Sequence, residues 1–261
     1  MRTWILFVFW LTVPGWGSAQ IFTLSPPQVT VDSVFFCRKA TLTMAMDHPG
    51  VIIRYTRDGQ TVTASSPRYE TPLHLSESGT IRARCFHLDF NVSREVEIKV
   101  HQLDSRASVS IRSLVPPPHN SYPGTGARGL TDQIKGGMAF RSSPDQWTGW
   151  ELDSVQMEIV LDESAEGRTL RWSTLEDPGA WILAPDKVVL YQNGQQIGGW
   201  ERMVAPDLAS STFIFPEITL PDSLPKAPIS VTLYATTLPA GHPGAGRPAW
   251  IFLDEIFLTT Q

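Results

Sequence analysis

Charged residues are scarce in this chain, at 18% of its 261 positions, and cysteine occurs only twice. The formal charge of −5 offers no basic surface of the kind that nucleic-acid binding requires. Long Ala/Leu/Glu/Lys segments of helical period are lacking, whereas Pro, Gly, Ser, Thr and Trp are plentiful. This composition predicts an all-β protein with no nucleic-acid partner.

The first residues have the organisation of a secretory signal peptide. Arg2 precedes the apolar residues 4–13, and Gly17 and Ala19 stand at positions compatible with cleavage. We therefore predict a signal peptide over residues 1–19, with an uncleaved anchor as the alternative. The apolar run is shorter than the roughly 20 residues that cross a bilayer, so no membrane span is expected after its removal. The mature protein is expected to be secreted, periplasmic or at the cell surface.

Both cysteines lie in the first half of the chain. Export would permit a disulfide between Cys37 and Cys85. Alternation also places Cys85 on the apolar face of a strand with Ile81 and Ala83, which favours a buried thiol. Both alternatives stay open, and no His or Asn arrangement indicates a catalytic cysteine.

Short strands broken by turns are predicted for residues 21–101. Residues 51–56 are β-branched and aromatic, and Asp58-Gly59 follows as a hairpin-type turn. Residues 80–86 and 92–100 alternate apolar with polar side chains, which predicts one wet and one packed face.

The segment from Ile53 to Thr61, with Pro72-Leu-His-Leu and Ser78-Gly-Thr-Ile-Arg-Ala after it, resembles the chitobiase C-terminal (fibronectin-associated) module. That resemblance implies a small immunoglobulin-like β-sandwich, which we assign to residues 20–104. Periodicity then stops, and three consecutive prolines (116–118) favour extended geometry. Residues 105–120 are predicted to form a stiff Pro-rich linker.

The second half reads as further strands separated by long loops, with Asn193-Gly194 as a strong hairpin signal. Three ordered motifs, at residues 122–132, 177–185 and 242–256, resemble the discoidin-like (coagulation factor type C) domain found at the C-terminal end of many secreted bacterial β-N-acetylhexosaminidases. The resemblance implies a discoidin-like jelly-roll β-sandwich over residues 121–261. The predicted fold is thus an immunoglobulin-like sandwich followed by a discoidin-like one.

The same resemblance implies a structural Ca²⁺ ion held by Asp132 and Glu255. Backbone carbonyls of the Gly-rich loop 124–137 would complete the six to eight oxygens that Ca²⁺ takes. Gln133 stands where that family usually has glycine. This departure weakens the prediction, because glycine supplies a backbone freedom on which such a loop can depend. The alternative is that Asp132 caps a turn and Glu255 is a solvated strand-end carboxylate.

The second half is rich in tryptophan, and sugar-binding sites use flat aromatic side chains that stack on pyranose rings. Trp147 and Trp181 fall in loops, Arg141 lies near Trp147, and His242 lies in the long loop before the last strand. These four residues are the predicted ligand-binding set. The alternative for each tryptophan is core packing.

No catalytic constellation is found. Asp254 and Glu255 are adjacent, and neighbours in a strand point to opposite faces, so they cannot flank one glycosidic bond. The histidines lack zinc-ligand spacing. We therefore predict a secreted non-catalytic carbohydrate-binding protein, with N-acetylhexosamine-containing glycans as the implied ligands. The alternative is a structural or protein-docking module at the cell surface without sugar binding.

Overall fold

A computed structural model describes residues 22–103, 108–161 and 168–259. These residues form β-strands joined by loops and short 3₁₀ helices, and they contain no α-helix. The strands are β1 (Gln28–Val31), β2 (Phe35–Phe36), β3 (Ala40–Ala45), β4 (Ile52–Thr56), β5 (Leu73–Leu75), β6 (Gly79–Phe86), β7 (Val96–Gln102), β8 (Val109–Val115), β9 (Thr148–Trp150), β10 (Ser154–Leu161), β11 (Thr169–Glu176), β12 (Lys187–Gln192), β13 (Gln195–Glu201), β14 (Thr212–Ile214), β15 (Glu217–Thr219), β16 (Ile229–Tyr234) and β17 (Ile251–Thr259). The 3₁₀ helices are Gly126–Leu130, Phe140–Ser142, Pro144–Gln146 and Pro178–Ala180. The all-β prediction is confirmed.

The predicted signal peptide, residues 1–19, lies outside the described residues. Among the residues that are described, no helix has the length and apolarity needed to cross a membrane.

The first half of the chain pairs its strands into two small sheets. One has the order β1-β3-β5 and the other β2-β7-β6-β4. Strand β6 alternates as its sequence predicts, with Ile81, Ala83 and Cys85 buried between half-exposed neighbours. Leu42 of β3 and Leu75 of β5 join Ile81 and Ala83 in one apolar cluster, so the two sheets share a core.

The second half is built from two larger sheets. One has the order β13-β12-β16-β10-β8, and the other runs β14-β11-β17-β9 with β15 also pairing with β11. Leu190 and Val231 from the first of these sheets pack with Trp172 and Ile256 from the second in a single buried cluster. This is a β-sandwich, and its discoidin-like character stays a prediction.

The segment predicted as a linker contributes a strand to the second half. Strand β8 pairs antiparallel with β10, placing Ile111 opposite Ile159 and Val109 opposite Leu161. Val109 is buried in the core of the second half. The apolar alternation of residues 109–115 is short, and the three prolines that follow it favour a linker, so the sequence did not predict this strand. The division into units at 20–104 and 121–261 stays a prediction.

Two Gly-containing turns behave differently. Asn193 and Gly194 both have positive φ, 51° and 78°, and they join the paired strands β12 and β13. This is the hairpin that the sequence predicts. At Asp58-Gly59 only the glycine has positive φ, and β4 pairs with the distant β6. Arg54 of β4 forms an isolated antiparallel bridge with Arg68, so the chain returns beside β4 only after a longer loop, and Asp58-Gly59 does not close a two-residue hairpin.

The two halves contact each other through aromatic side chains. Phe35 of β2 lies 4.8 Å from Phe257 of β17, measured between ring centroids. His101 of β7 lies 4.3 Å from Phe215, which follows β14. The apolar cluster around Phe35, Leu103 and Phe257 thus spans both halves.

Candidate ligand-binding site

A bulge in strand β17 lets two neighbouring carboxylates of the strand, Asp254 and Glu255, both contact the loop at residues 132–137. The register between β11 and β17 shifts so that Ser173 faces Glu255 while Thr174 faces Leu253, leaving Asp254 without a partner residue. Asp254 Oδ2 accepts a hydrogen bond from Gly136 N at 2.6 Å. The strict alternation expected for Asp254 and Glu255 is therefore wrong at this point of the strand.

Glu255 holds the start of the same loop. Its Oε2 accepts a hydrogen bond from Gln133 N at 2.8 Å. Burial raises the pKa of the Glu255 carboxyl to about 9, opposed by the Gln133 hydrogen bond and assisted by the charges of Asp132 and Asp254. Asp132 itself is exposed, and its Oδ1 accepts from Ile134 N. The two predicted metal ligands thus lie near each other. In the contacts just described, both carboxylates accept hydrogen bonds from backbone N–H groups of the loop and not from a Lys or Arg side chain.

The fit of this pair to Ca²⁺ rests on its donor chemistry. Two carboxylates beside an exposed loop supply hard oxygen ligands, which Ca²⁺ prefers, and a cation would offset their mutual repulsion. Across the described part of the chain, no cluster of three or more His, Cys, Asp or Glu side chains is arranged to hold a metal. Backbone carbonyls would have to supply the remaining ligands, as the sequence interpretation assumed.

Gln133 has a φ of 66°. This is the left-handed region that favours glycine, and it is the position where the resembled family usually has glycine. The departure seen in the sequence therefore coincides with a strained residue, held by the bond from its amide to Glu255.

Lys135 and Asp254 form a buried ion pair behind the loop. Lys135 Nζ lies 2.9 Å from Asp254 Oδ2, and the two side chains are 11% and 0% exposed. Burial lowers the pKa of Lys135 and raises the pKa of Asp254, and the attraction between the two charges opposes both shifts. The ammonium also sits 3.4 Å from the centroid of the Phe213 ring. This pair fixes the loop and leaves Asp254 unavailable as a free ligand.

Trp147 is fully buried, contrary to its predicted role. Its ring stacks on Phe213 with centroids 6.2 Å apart, and its Nε1 donates to Gly137 O. A buried indole has no free face for a sugar, so this placement suits the core-packing alternative. Arg141 is exposed and its guanidinium lies 4.4 Å from the Phe140 ring. The observed contacts do not bring Arg141 and His242 to one place.

Trp181 and His242 do come together. Their rings meet edge to face at 5.4 Å, and His242 Nε2 lies 3.2 Å from Pro178 O. Trp181 ends a 3₁₀ turn that Asp177 caps by accepting from Ala180 N, and it has a φ of 66°. A non-glycine residue in the left-handed region is held there by its surroundings, and such residues concentrate at functional sites.

Two residues that the sequence interpretation missed complete this group. The Arg247 guanidinium lies 5.3 Å from the Trp181 ring centroid and forms an ion pair with Glu151. Arg247 belongs to the Gly/Pro-rich motif that begins at His242, so its presence in that motif was an available signal. Glu151 carries no such signal, because only the fold brings it to Arg247. We refer to Trp181, His242, Arg247 and Glu151 as the Trp181 surface.

Trp250 supports the Trp181 surface from below. Its amide N donates to Trp181 O at 2.8 Å, and its ring meets His119 edge to face at 5.0 Å. Trp250 is half-buried. The Trp181 surface therefore rests on the start of β17.

Cys37 and Cys85 are free in the structure. Cys85 is buried, its backbone N–H donates to Ser93 Oγ, and burial raises the pKa of its thiol to about 11. These facts favour the buried-thiol alternative.

With this geometry established, the chain can be compared with known proteins. Residues 33–97 match the family model of the chitobiase/beta-hexosaminidase C-terminal domain. The resemblance stated for the first half is thereby confirmed, while the discoidin-like resemblance of the second half stays a prediction. No curated protein matches the chain.

Three solved structures show weak likeness to the chain. One is described as a carbohydrate-binding module of the β-sandwich superfamily, with TM-score 0.27 and 11% identity, covering 91% of this chain and 99% of that one. A SusE-like protein has TM-score 0.33 and 12% identity, covering 89% and 96%. A fucolectin from striped bass (Morone saxatilis) serum has TM-score 0.28 and 9% identity, covering 88% and 84%. At such TM-scores these likenesses carry no argument about fold or function.

Proposed function

We propose that this is a non-catalytic carbohydrate-binding protein that acts outside the cell or at its surface. The observation that carries the proposal is the Trp181 surface, where an indole, an imidazole and a guanidinium–carboxylate pair meet. Sugar-binding sites combine an aromatic side chain that contacts the pyranose ring with a few polar groups that fix its hydroxyls.

Each member of the Trp181 surface has a defined part. The indole of Trp181, half-buried, presents its accessible atoms to the apolar side of a sugar ring. Arg247 offers N–H donors and Glu151 accepts, whereas both ring nitrogens of His242 are bonded within the chain, to Gly244 N and Pro178 O, so His242 orders the loop beside the indole. The ion pair between Arg247 and Glu151 orients donor and acceptor side by side, which suits a vicinal pair of hydroxyls.

N-acetylhexosamine-containing glycans are the proposed ligands. This choice rests on the module matched by residues 33–97, which is named after chitobiase and β-hexosaminidase. The catalytic barrel of such enzymes has no counterpart among the described residues, which are β-strands, loops and 3₁₀ helices. We therefore assign the chain a binding role.

Asp132 and Glu255 are the proposed ligands of a structural Ca²⁺ ion. The ion would neutralise the two carboxylates and rigidify the loop that begins at Asp132. Gln133, which follows Asp132 in that loop, would stay bonded to Glu255 through its backbone amide. The role of the ion is structural.

A docking role is the second candidate, and one observation favours it. Met203 and Val204, in the loop after β13, are 90% and 77% exposed, and Leu208 is exposed nearby. Apolar side chains grouped at a surface mark contact sites for other proteins when no polar groups converge on them.

The test is a glycan-array screen of the full chain with and without Ca²⁺, followed by calorimetry on any ligand found. We expect saturable binding that Trp181→Ala and His242→Ala each weaken at least tenfold. Tyr191→Ala is the matched control, because Tyr191 is an exposed aromatic residue of β12 outside the Trp181 surface. Binding that survives Trp181→Ala would place the site elsewhere. A folded chain that binds no glycan would leave the docking role as the better proposal.

A further inference from the structure

A polar cleft runs between the two halves of the chain, away from the residues of the Trp181 surface. It has a volume of about 480 Å³, and its walls come from the start of β6, the end of β7, β11 and the segment after β14. Ser78, Thr80, Lys99 and His101 line it from the paired strands β6 and β7 and the residue before β6, and Arg171 lines it from β11. The volume lies within the range of ligand sites, about 300–1,000 Å³.

The floor of this cleft holds an unusual histidine. His101 is 5% exposed, and neither ring nitrogen has a hydrogen-bond partner among the described residues. Its ring is packed by the aromatic rings of Phe35, Phe215 and Phe257. A buried polar group without a partner costs free energy, so its retention at this place needs a reason.

Positive charge surrounds the floor. Burial, together with the charges of Arg171, Lys99 and Lys135, lowers the pKa of His101 to about 3. Lys135 is neutralised by Asp254 at 2.9 Å, whereas Lys99 pairs, within the described part of the chain, with Glu97 at 3.7 Å. Lys99 and Arg171 therefore bring two partly exposed cationic groups to the cleft, each paired with a partly exposed glutamate.

The two cations that reach the cleft are only partly satisfied. Arg171 donates from one terminal nitrogen to the exposed Glu217, while its Nε lacks a partner among the described residues. Lys99 and Arg171 have 45% and 27% of their side chains exposed, so both remain accessible to a ligand. Glu97 also pairs with Arg82, so Lys99 shares its carboxylate partner with a second cation.

We propose that this cleft binds the anionic group, a carboxylate or a sulfate, of an acidic sugar residue. Lys99 and Arg171 hold the anion by charge-assisted hydrogen bonds. The hydroxyls of Ser78 and Thr80 contact the neighbouring sugar hydroxyls; Ser78 Oγ already accepts from Gln102 N, which leaves its proton free to donate.

His101 connects the anion to pH. An anion beside the floor favours the protonated imidazole, so binding raises the pKa of His101. By linkage, affinity then rises as pH falls to and below the pKa of His101 in the bound chain, which lies above the value of about 3 in the free chain. Replacing His101 removes this dependence and leaves the contacts of Lys99 and Arg171 in place.

The test is calorimetry of the full chain with three oligosaccharides of equal length: one with uronate residues, one with sulfate esters and one uncharged. We expect at least one acidic oligosaccharide to bind more tightly at about pH 4.5 than at about pH 7.5, because the lower pH approaches the raised pKa of His101 in the bound chain, and more weakly as ionic strength rises. Lys99→Gln and Arg171→Gln should each weaken it about tenfold, the loss expected for one hydrogen bond to a charged group. The preferred acidic ligand identifies the anionic group.

Three controls make the outcome decisive. Lys187→Gln removes an exposed cation on β12 and should leave the affinity unchanged. His101→Phe should remove the pH dependence, and the His101 ring resonances should report a higher pKa when the acidic ligand is bound. Equal loss with Lys187→Gln, equal binding of the uncharged ligand, or no acidic binding by the folded chain would overturn the proposal. If Arg171→Gln fails to fold, Lys99→Gln still tests the proposal, because the Lys99 side chain is more exposed and its replacement should be tolerated.

The two proposed sites can fail separately. Trp181→Ala should leave acidic binding at the cleft intact, and Lys99→Gln should leave glycan binding at the Trp181 surface intact. If the unmodified chain shows only one of the two binding activities, the missing activity identifies the proposal that is wrong.

Discussion

The two halves of the molecule are both β-sandwiches, but they bury charge differently. In the first half the longest strand, β6, alternates buried and half-exposed residues, and its arginines lie on the wet face with Glu95 and Glu97. In the second half every residue of β17 is buried, Asp254 and Glu255 included. A larger core can hold carboxylates that shape loops, whereas a small sandwich keeps its charges in water.

This difference separates the halves in function as well. The charges of the first half stabilise a sheet surface, and exposed ion pairs of that kind contribute little. Those of the second half fix the loop that begins at Asp132. The comparison predicts that substitutions at buried polar and aromatic positions of the second half have the larger effects.

The largest effect is expected for Trp147→Ala. Trp147 has no exposed surface and packs on Phe213 and Phe252, so the substitution should cost about 4 kcal/mol of unfolding free energy. Urea denaturation measures this, with the exposed Tyr191→Ala as control at about 0.5 kcal/mol or less. A cost near that of the control would show that the ring is not a core element.

Breaking the buried ion pair should cost slightly less. Lys135→Met leaves Asp254 buried without its partner and should cost about 3 kcal/mol. The double variant Lys135→Met/Asp254→Leu should recover most of that loss, because no uncompensated charge remains. A double-mutant cycle in urea tests this, and additive losses would contradict it.

Acid should destabilise the contact between the halves. The pKa of His101 in the folded chain is about 3, below its ordinary value of 6.5, so the unfolded chain takes up the proton first as pH falls. Stability from this group is therefore complete above pH 6.5 and declines towards pH 3, by about 2 kcal/mol at pH 5. His101→Phe should remove this part of the pH dependence in urea denaturation. An unchanged slope in that variant would assign the acid sensitivity to other groups.

The smallest effect is a gain. Gln133 has a φ of 66°, so Gln133→Gly should stabilise the chain by up to about 1 kcal/mol through relief of the left-handed strain. Thermal unfolding with and without Ca²⁺ measures this. Asn193→Gly is the matched control at another left-handed position, where asparagine already tolerates the conformation. A loss of stability in Gln133→Gly would show that the glutamine side chain contributes more than the strain costs.

The local patterns of the chain determined much of its architecture. Alternation in β6, the Asn193-Gly194 turn and the β-branched strands of the second half predict the all-β fold, and the first-half resemblance is confirmed over residues 33–97. The motif 242–256 also contains both His242 and Arg247 of the Trp181 surface. Each of these signals is local, because neighbouring residues in the sequence share one strand or one turn.

Only the tertiary structure decided which of these residues meet. The bulge in β17 turned Asp254 and Glu255 towards one loop, and packing buried Trp147 while leaving Trp181 beside His242. The docking of the first half onto Phe215 and Phe257 created the cleft around His101. These outcomes depend on contacts between distant segments, and their energies are set by burial and charge in the assembled core, which local periodicity does not encode.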